Sequence, residues 1–347
     1  MRLRNHELFF AHANMVKNHI LNGFKISQSD VENKYAFNNH GTFIIKDSKG
    51  GGSINARGIY NGYGDGAENV ATAKIIVEGG SINAMGTNGG AAIYNYGVAE
   101  VKGGKFESNG GYGLNNQSGA SITITGGEIR GGIYNLGTLS VDGENTSVYQ
   151  HISGRHAIYN YAATAIINNG AFDSESGNEL ILADGENSSV TINGGTFDKT
   201  AKSWLMGAAT GKNITFVING GTFQATLNAI QAQKGSLTIT SGTFEGEALA
   251  LSLSSTANVS IVGGCFTGGK YDIYTGFKTQ FLSFNDDGVG PSFPGGLSIK
   301  KDRDDWSLNS LLVEGAGYYV GEELQTLDAN AASCEGDVTV KKIPTDE

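Results

Sequence analysis

The sequence predicts an all-β fold, a right-handed parallel β-helix of about ten coils with three short strands in each coil. Two observations lead to this prediction. A Gly-Gly turn followed by Ser-Ile or Thr-Phe recurs along the chain, with its second glycines 21 to 28 residues apart in every interval but one. Periods of about 20 to 50 residues are typical of solenoids, propellers and arrays. Short β-branched segments recur between the turns, and helix-length periodic segments are almost absent.

The turn is the most regular element of the repeat. Glycine accounts for 53 of 347 residues and proline for 3, without the Gly-X-Y period of collagen. A sharp corner usually needs one residue with positive φ, which glycine adopts without steric cost. The one long interval, 43 residues between Gly127 and Gly170, is predicted to hold two coils divided at Asp142-Gly143. The turns begin at Gly51, Gly79, Gly103, Gly126, Asn169, Gly194, Gly220, Ser241 and Gly263.

Two further elements recur at fixed places in the unit. An alternating, β-branched segment precedes the turn, as in Lys74–Val77 and Ser121–Ile124. A third strand follows later and has the form Ile-Tyr-Asn. A propeller of the WD type would need about 40 residues per blade, and leucine-rich repeats would need a leucine ladder that is missing here. The third strand recurs as Ile59-Tyr60-Asn61, Ile93-Tyr94-Asn95, Ile133-Tyr134-Asn135 and Ile158-Tyr159-Asn160.

The Ile-Tyr-Asn strands predict two opposite faces. Side chains alternate along a strand, so isoleucine and asparagine share one side and tyrosine takes the other. If isoleucine faces inward, the asparagines stack as a buried amide ladder near a corner, and the tyrosines form a row on the outer face. The ladder would contain Asn61, Asn95, Asn135 and Asn160, and the row Tyr60, Tyr94, Tyr134 and Tyr159.

The ends of the chain depart from the repeat and predict caps over exposed strand edges. Residues 1–40 are interpreted as an N-terminal cap with a short amphipathic helix, because Phe9, Ala13, Val16 and Ile20 recur at helical spacing. Residues 41–266 are predicted to form the β-helix repeats. Residues 267–347 are predicted to form a C-terminal coil and cap, with a short helical turn within 306–312 and a last strand within 338–340.

Charge and composition restrict the classes of partner. The formal net charge is −10 with no basic cluster, which disfavours a nucleic-acid partner. No apolar run is long enough to span a membrane. The apolar stretch 8–11 is too short for a secretion signal, so we interpret the start as a domain end or a truncation. Cys265 and Cys334 are either two separate thiols or one disulfide, and both readings stay open.

The coil also resembles a known family. The combination of Ile-Thr-Ile-x-Gly-Gly-Thr-Phe and Ala-Ile-Tyr-Asn is similar to the Gly-Gly-Thr-Phe β-helix repeats of secreted surface proteins from gut Firmicutes, over residues 41–347. The resemblance implies a pectin-lyase-like solenoid at the cell surface or outside the cell. It implies an adhesin-like or carbohydrate-binding role, with glycans or other surface polymers as partners and no cofactor.

Two sets of residues are candidates for a functional site. The tyrosine row Tyr60, Tyr94, Tyr134 and Tyr159 offers flat amphipathic rings that can stack on sugars, although stacked aromatics also stabilise a sheet without ligand. The alternative is an acidic column after the motif's Phe or its equivalent, made of Glu107, Asp173, Asp198 and Glu245, with Gln224 in the same place. Paired carboxylates could hydrolyse a glycosidic bond or bind Ca²⁺, but the alternation favours a solvated outward column, because the column follows the repeat without local departure.

The sequence therefore favours a non-catalytic glycan-binding surface module, with no catalytic residue and no metal site assigned. A carbohydrate-active enzyme, either a polysaccharide lyase or a glycoside hydrolase, is the first alternative. Its carboxylates would lie in the two segments that depart most from the repeat, 144–156 and 178–187, interpreted as loops over one face. A trimeric phage tail-fibre segment is the further alternative. The oligomeric state is left open.

Overall fold

The computed structural model describes residues 2–3, 9–11, 16–28, 37–64, 72–85, 90–200, 206–208, 213–276, 280–301 and 306–344. The described chain is a right-handed parallel β-solenoid of about ten coils, as the sequence predicts. It divides into two compact units, Met1–Asn178 and Glu179–Glu347.

In unit 1 each coil contributes one strand to each of three parallel sheets. The Gly-Gly sheet, named for the turn before its strands, contains Arg2–Leu3, Lys25–Gln28, Ser53–Ala56, Ser81–Ala84, Lys105–Ser108, Gly127–Arg130, Thr146–Gln150 and Ala171–Ser174. The tyrosine sheet contains Phe9–Ala11, Phe37–Asn39, Ile59–Asn61, Ile93–Asn95, Leu114–Asn116, Ile133–Asn135 and Ile158–Tyr161. The alternating sheet contains Val16–Ile20, Thr42–Lys46, Lys74–Val77, Val98–Val101, Ser121–Ile124, Thr138–Val141 and Thr164–Ile167.

Unit 2 is built from the same kinds of strand. Strands after Gly-Gly turns, with the closing strands, are Thr196–Lys199, Thr222–Ala225, Thr243–Gly246, Cys265–Gly268, Val289–Phe293, Ala316–Val320, Glu323–Leu324 and Val338–Lys342. The alternating strands are Ser189–Ile192, Thr215–Ile218, Asn228–Ile239, Leu249–Ile261, Tyr271–Thr275, Gly296–Lys301 and Ser333–Glu335. Ile181–Asp184 and Met206–Ala208 pair with each other, and one 3-10 helix spans Leu308–Leu311.

Neighbouring coils of unit 1 pair in parallel and in register. Ser53–Ala56 and Ser81–Ala84 have the same four residues, Ser-Ile-Asn-Ala, and each residue lies beside its equivalent in the next coil. The inward side chains of successive coils therefore stack on one another. Ile54, Ile82 and Phe106 are each at most 1% exposed.

The core of unit 2 contains a ladder of phenylalanines supplied by the Thr-Phe of the repeat. Phe223 and Phe244 stack with ring centroids 4.8 Å apart and an interplanar angle of 7°. Phe197 and Phe266 continue the stack on either side at 4.6 and 4.7 Å. These distances match the strand spacing of a β-sheet, so one aromatic ring fills each coil.

The second glycine of the turn has the conformation that the sequence predicts. Gly104 has φ +96°, and a Cβ placed on it would lie 2.7 Å from the carbonyl oxygen of Gly80 in the preceding coil. Both the backbone conformation and the close approach of the next coil therefore require glycine.

The predicted N-terminal helix is wrong. Phe9–Ala11 and Val16–Ile20 are strands, and they pair in parallel with Phe37–Asn39 and Thr42–Lys46. Ala13 lies outside the described residues. Strand pairing with the next coil satisfies the backbone here, so the segment is built like a coil instead of lying over one. The boundaries at residues 40 and 266 stay predictions.

The two other local predictions for the ends are confirmed. Leu308–Leu311 forms the expected helical turn. Val338–Lys342 is the last strand, and it runs antiparallel between Val289–Phe293 and Ala316–Val320. The parallel pairing of the strands after Gly-Gly turns in unit 2 therefore ends with these antiparallel strands.

The long interval between Gly127 and Gly170 holds an extra coil, as predicted. Thr146–Gln150 pairs in parallel with Gly127–Arg130 on one side and with Ala171–Ser174 on the other. The rule of three strands per coil fails in unit 2, where Asn228–Ile239 is one strand of 12 residues and Leu249–Ile261 one of 13. Neither contains an Ile-Tyr-Asn corner that would interrupt it.

Cys265 and Cys334 are both free thiols, Cys265 half-buried and Cys334 buried. Among the described residues, no helix has the length and apolar character needed to cross a membrane.

Candidate functional site

The predicted tyrosine row lies on the outer face of the tyrosine sheet in unit 1. In each Ile-Tyr-Asn strand the isoleucine and asparagine are buried and the tyrosine is half-buried. The row has one interruption, because Asn115 pairs with Tyr94 on one side and with Tyr134 on the other. The outer face is therefore divided into two groups of aromatic rings.

The first tyrosine cluster consists of Tyr60, Tyr63, Tyr94 and Tyr96. The rings of Tyr60 and Tyr94 stack at 4.5 Å between centroids with an interplanar angle of 21°. Tyr63 packs its edge against Tyr60 at 5.2 Å and lies 5.3 Å from Tyr96. Tyr63 is 40% exposed. The cluster presents adjoining phenol rings at the surface.

An asparagine lies at one end of the first tyrosine cluster. Asn38 pairs with Tyr60 across the sheet, and its Nδ2 donates to the carbonyl oxygen of Tyr63 at 2.8 Å. Its Oδ1 is buried and accepts no hydrogen bond from the described part of the chain. Asn38 thus links two tyrosines of the cluster and keeps an acceptor that none of the described residues uses.

The second tyrosine cluster consists of Tyr112, Tyr134, Tyr159 and Tyr161, with Arg155 and His156 against it. Tyr134 lies 5.4 Å from Tyr112 and 5.3 Å from Tyr159. His156 packs on Tyr159 at 5.4 Å. The guanidinium carbon of Arg155 lies 4.9 Å from the centroid of the Tyr112 ring. This cluster therefore combines aromatic rings with a cation.

Burial affects the hydroxyls of the second cluster. It raises the pKa of Tyr112, an effect that Arg155 opposes, and it also raises the pKa of Tyr134. Both phenols are protonated at neutral pH, as ordinary tyrosines are, and can donate hydrogen bonds.

An asparagine ladder behind the rings fixes the spacing of the tyrosine sheet. The amide of each member before the last donates to the amide oxygen of the following one, as Asn61 does to Asn95 at 2.7 Å and Asn116 to Asn135 at 2.8 Å. Each also donates to backbone carbonyls, as Asn116 does to Thr138 at 3.0 Å. The ladder contains the four predicted members, all fully buried, together with Asn39 and Asn116.

The loop that carries Arg155 is held by buried side chains. Gln150 Nε2 donates to the carbonyl oxygens of Gly131 and His156, and Gln150 Oε1 accepts from the backbone of Ile152. The hydroxyl of Ser176 donates to the carbonyl oxygen of Arg155. These bonds fix the backbone of Arg155 next to the second cluster.

The acidic column also lies on an outer face, that of the Gly-Gly strands, and we describe it unit by unit. In unit 1, Arg130 and Tyr149 stand between Glu107 and Asp173 in register, so these two carboxylates are not neighbours. Lys105 Nζ lies 3.6 Å from a carboxylate oxygen of Glu107. The unit 1 half of the column is therefore a mixed-charge surface.

The unit 2 half of the column borders a groove of about 360 Å³. Gln224 stands between Asp198 and Glu245 in register, and its Nε2 donates to Glu245 at 2.9 Å. Glu247 and Thr267 also line the groove. Asp198 and Glu245 are exposed. Among the described residues, no group of three or more His, Cys, Asp or Glu side chains is placed to hold a metal ion.

The two segments predicted as loops over one face each contain a strand, so the interpretation of the whole of each segment as a loop is wrong. Thr146–Gln150 is a strand of the Gly-Gly sheet in unit 1, and Ile181–Asp184 is a strand of unit 2. These segments form ordinary strands although their sequences depart from the repeat. Val148 and Ile181 point inward and are fully buried.

The sequence prediction missed four of the eight tyrosines on this face. Tyr96 and Tyr161 directly follow the asparagine of an Ile-Tyr-Asn strand, which is a signal that could have been used. Tyr63 follows Asn61 by two residues. Tyr112 lies outside the motif, and only the three-dimensional structure brings it beside Arg155.

A scan of known protein families, a search of curated proteins and a search of solved structures each found no match to this chain.

Proposed function

We propose that the protein is a non-catalytic, extracellular or cell-surface module that binds glycans on the outer face of its tyrosine sheet, in the manner of an adhesin. The observation that supports this proposal is the grouping of eight tyrosines into two clusters on one face of unit 1. Each cluster contains a half-buried pair of rings in contact, Tyr60 with Tyr94 and Tyr134 with Tyr159.

Such clusters are suited to sugars for two physical reasons. Phenol rings offer apolar faces for the C–H side of a pyranose and hydroxyls for its hydroxyl groups. The rings are already ordered by packing against each other, so binding costs little further side-chain entropy. Tyr60 and Tyr94 are positioned by buried neighbours on the same strands, Asn61 and Asn95, which share a hydrogen bond.

The test is retention on a glycan array of the protein with both Tyr60→Ala and Tyr94→Ala. We expect retention to fall about tenfold or more, since stacked aromatic contacts contribute on the order of 1 kcal/mol each. The double Phe variant keeps the rings and should retain most of the binding. Tyr274→Ala removes a tyrosine from unit 2 that is half-buried like Tyr60 and Tyr94, and it is the matched control.

Unchanged retention of the double Ala variant would mean that the rings only stabilise the sheet. Thermal unfolding of the Ala and Phe variants separates loss of binding from loss of fold. A protein of unaltered melting temperature with lost retention supports the proposal.

The groove in unit 2 favours a second candidate function, hydrolysis or elimination of a polysaccharide. Asp198, Glu245 and Glu247 supply carboxylates along it, and glycoside hydrolases use two such groups. Release of reducing sugar or unsaturated product from a polysaccharide panel, lost on Glu245→Gln, would support this function. A phage tail-fibre segment would instead be trimeric, and a monomer by light scattering would contradict that third reading.

A further inference from the structure

Arg155 is a cation with aromatic and carbonyl neighbours but no carboxylate in contact. Its guanidinium lies over the ring of Tyr112, and its Nη2 donates to the carbonyl oxygen of Gly110 at 3.3 Å. Within the described part of the chain, no carboxylate oxygen lies within 4 Å of it.

Arg130 shows the alternative arrangement in the same unit. It also lies over a tyrosine ring, that of Tyr149 at 5.4 Å, but its Nε donates to Glu128 at 2.6 Å. Its charge is therefore neutralised within the protein. In a chain of net charge −10, a fixed arginine without such a partner is a place where an anion would be stabilised.

We propose that the second tyrosine cluster is a subsite for an acidic sugar, a hexuronate whose carboxylate binds Arg155 while its ring packs on Tyr134 and Tyr159. This inference rests on the proposed glycan-binding function and specifies its ligand class. The first tyrosine cluster has the amide of Asn38 in place of a cation and accepts a neutral sugar.

The chemistry of the guanidinium supports a carboxylate in particular. The group carries five N–H donors in a planar fork, and a carboxylate can accept two of them in parallel. Contact with the Tyr112 ring and the hydrogen bond to the carbonyl oxygen of Gly110 restrain the fork, and the hydrogen bonds from Gln150 and Ser176 to the loop hold its backbone. The fork is thus ordered before the ligand arrives, which lowers the entropy cost of binding.

The experiment measures retention on matched pairs of oligosaccharides that differ only in the acid group. Each pair has a neutral tetramer and its uronate counterpart of the same linkage, for example glucose and glucuronate tetramers. A sulfated counterpart forms a third arm. The full chain is compared with Arg155→Gln, Arg155→Lys and the matched control Arg130→Gln.

We expect at least one uronate to bind about tenfold more tightly than its neutral partner, and Arg155→Gln to abolish this preference. Arg155→Lys should keep only part of it, because lysine has the charge without the fork. Arg130→Gln should leave the preference unchanged. Raising sodium chloride from about 0.05 to about 0.5 M should weaken uronate binding and not neutral binding.

Neutral glycans bound as tightly as uronates, or a uronate preference that survives Arg155→Gln, would overturn the inference and leave the proposed function standing. A preference for the sulfated arm would overturn the assignment of a carboxylate. Retention of no glycan at all would overturn the proposed function together with this inference. Unchanged neutral binding by Arg155→Gln shows that the variant is folded.

Discussion

The side-chain amide of Asn116 donates a hydrogen bond to the amide oxygen of Asn135 across 2.8 Å, in the fully buried interior of unit 1. Asn116 also accepts from Asn95 at 2.8 Å and donates to the carbonyl oxygen of Thr138 at 3.0 Å. A single side chain therefore satisfies polar groups from both adjoining coils.

Replacement of Asn116 by Ala should lower the free energy of unfolding by about 3 kcal/mol or more, because several buried polar groups lose their partners and each costs roughly 1–3 kcal/mol. Urea unfolding measures the loss. Asn115→Ala, on the outer face of the same strand, is the control and should cost less than about 0.5 kcal/mol. Equal losses of unfolding free energy in the two variants would contradict a stabilising role of the asparagine ladder.

Replacement of Gly104 by Ala should destabilise the coil by about 2–3 kcal/mol, through strain at φ +96° and the close carbonyl of Gly80. Gly119 has φ +79° with nothing near its missing Cβ, so Gly119→Ala isolates the backbone strain at about 1 kcal/mol. Thermal unfolding of both variants separates the two causes. A smaller effect at Gly104 than at Gly119 would be inconsistent with the close approach.

Replacement of Phe244 by Ala should cost about 3–5 kcal/mol, since the ring is fully buried between Phe223 and Phe266. Phe244→Leu refills most of the volume and should cost clearly less. Urea unfolding midpoints give the order of the two variants. The reverse order would show that stacking does not fill the core of unit 2.

Asp272 predicts a pH dependence of unit 2. Asp272 is 5% exposed and its carboxylate accepts hydrogen bonds from Gly268 and Ser298, yet burial outweighs them and raises its pKa above 3.8. The folded state therefore binds a proton more tightly than the unfolded state, and the contribution to stability is present below pH 3.8 and declines as pH rises through the raised pKa.

The measurement is the difference in unfolding free energy between the protein and Asp272→Asn at several pH values. We expect the advantage of the native residue to shrink from about pH 3 towards pH 7. A difference that grows with pH would mean that the hydrogen bonds dominate and that the folded pKa is lowered.

The two cysteines predict a thiol-labelling pattern. Half-buried Cys265 should react with a thiol reagent in the native protein, whereas Cys334 is buried with a raised pKa and should react only on unfolding. Mass spectrometry of the labelled protein counts the modified sites. Absence of labelling after unfolding under non-reducing conditions would indicate a disulfide.

The sequence was sufficient for the coil and for the direction of its side chains. Side chains alternate along Ile59-Tyr60-Asn61, so once the isoleucine is buried the asparagine must also point inward and the tyrosine outward. The predicted amide ladder follows from these directions. Asn39 and Asn116 were missed because their strands read Phe-Asn-Asn and Leu-Asn-Asn. The apolar residue two places before each asparagine was the signal that could have revealed them.

The prediction of an N-terminal helix was wrong for a different reason. Val16 and Ile20 are four residues apart, a spacing that suits one face of a helix and, being even, one face of a strand. The local pattern therefore could not distinguish a helix from a strand, and pairing with Thr42–Lys46 makes this segment a strand. The sequence also could not predict the contact of Arg155 with Tyr112, since 43 residues separate them (155 − 112) and Tyr112 lies outside the Ile-Tyr-Asn motif.

The pairing of Ser53–Ala56 with Ser81–Ala84 has an evolutionary consequence. Because the two segments are identical and lie side by side without offset, each could occupy the place of the other. In-frame loss or duplication of one such coil would still leave every strand beside a fitting neighbour. The length of this protein is thus open to change by recombination in whole coils, and its tyrosine sheet would lengthen or shorten with it.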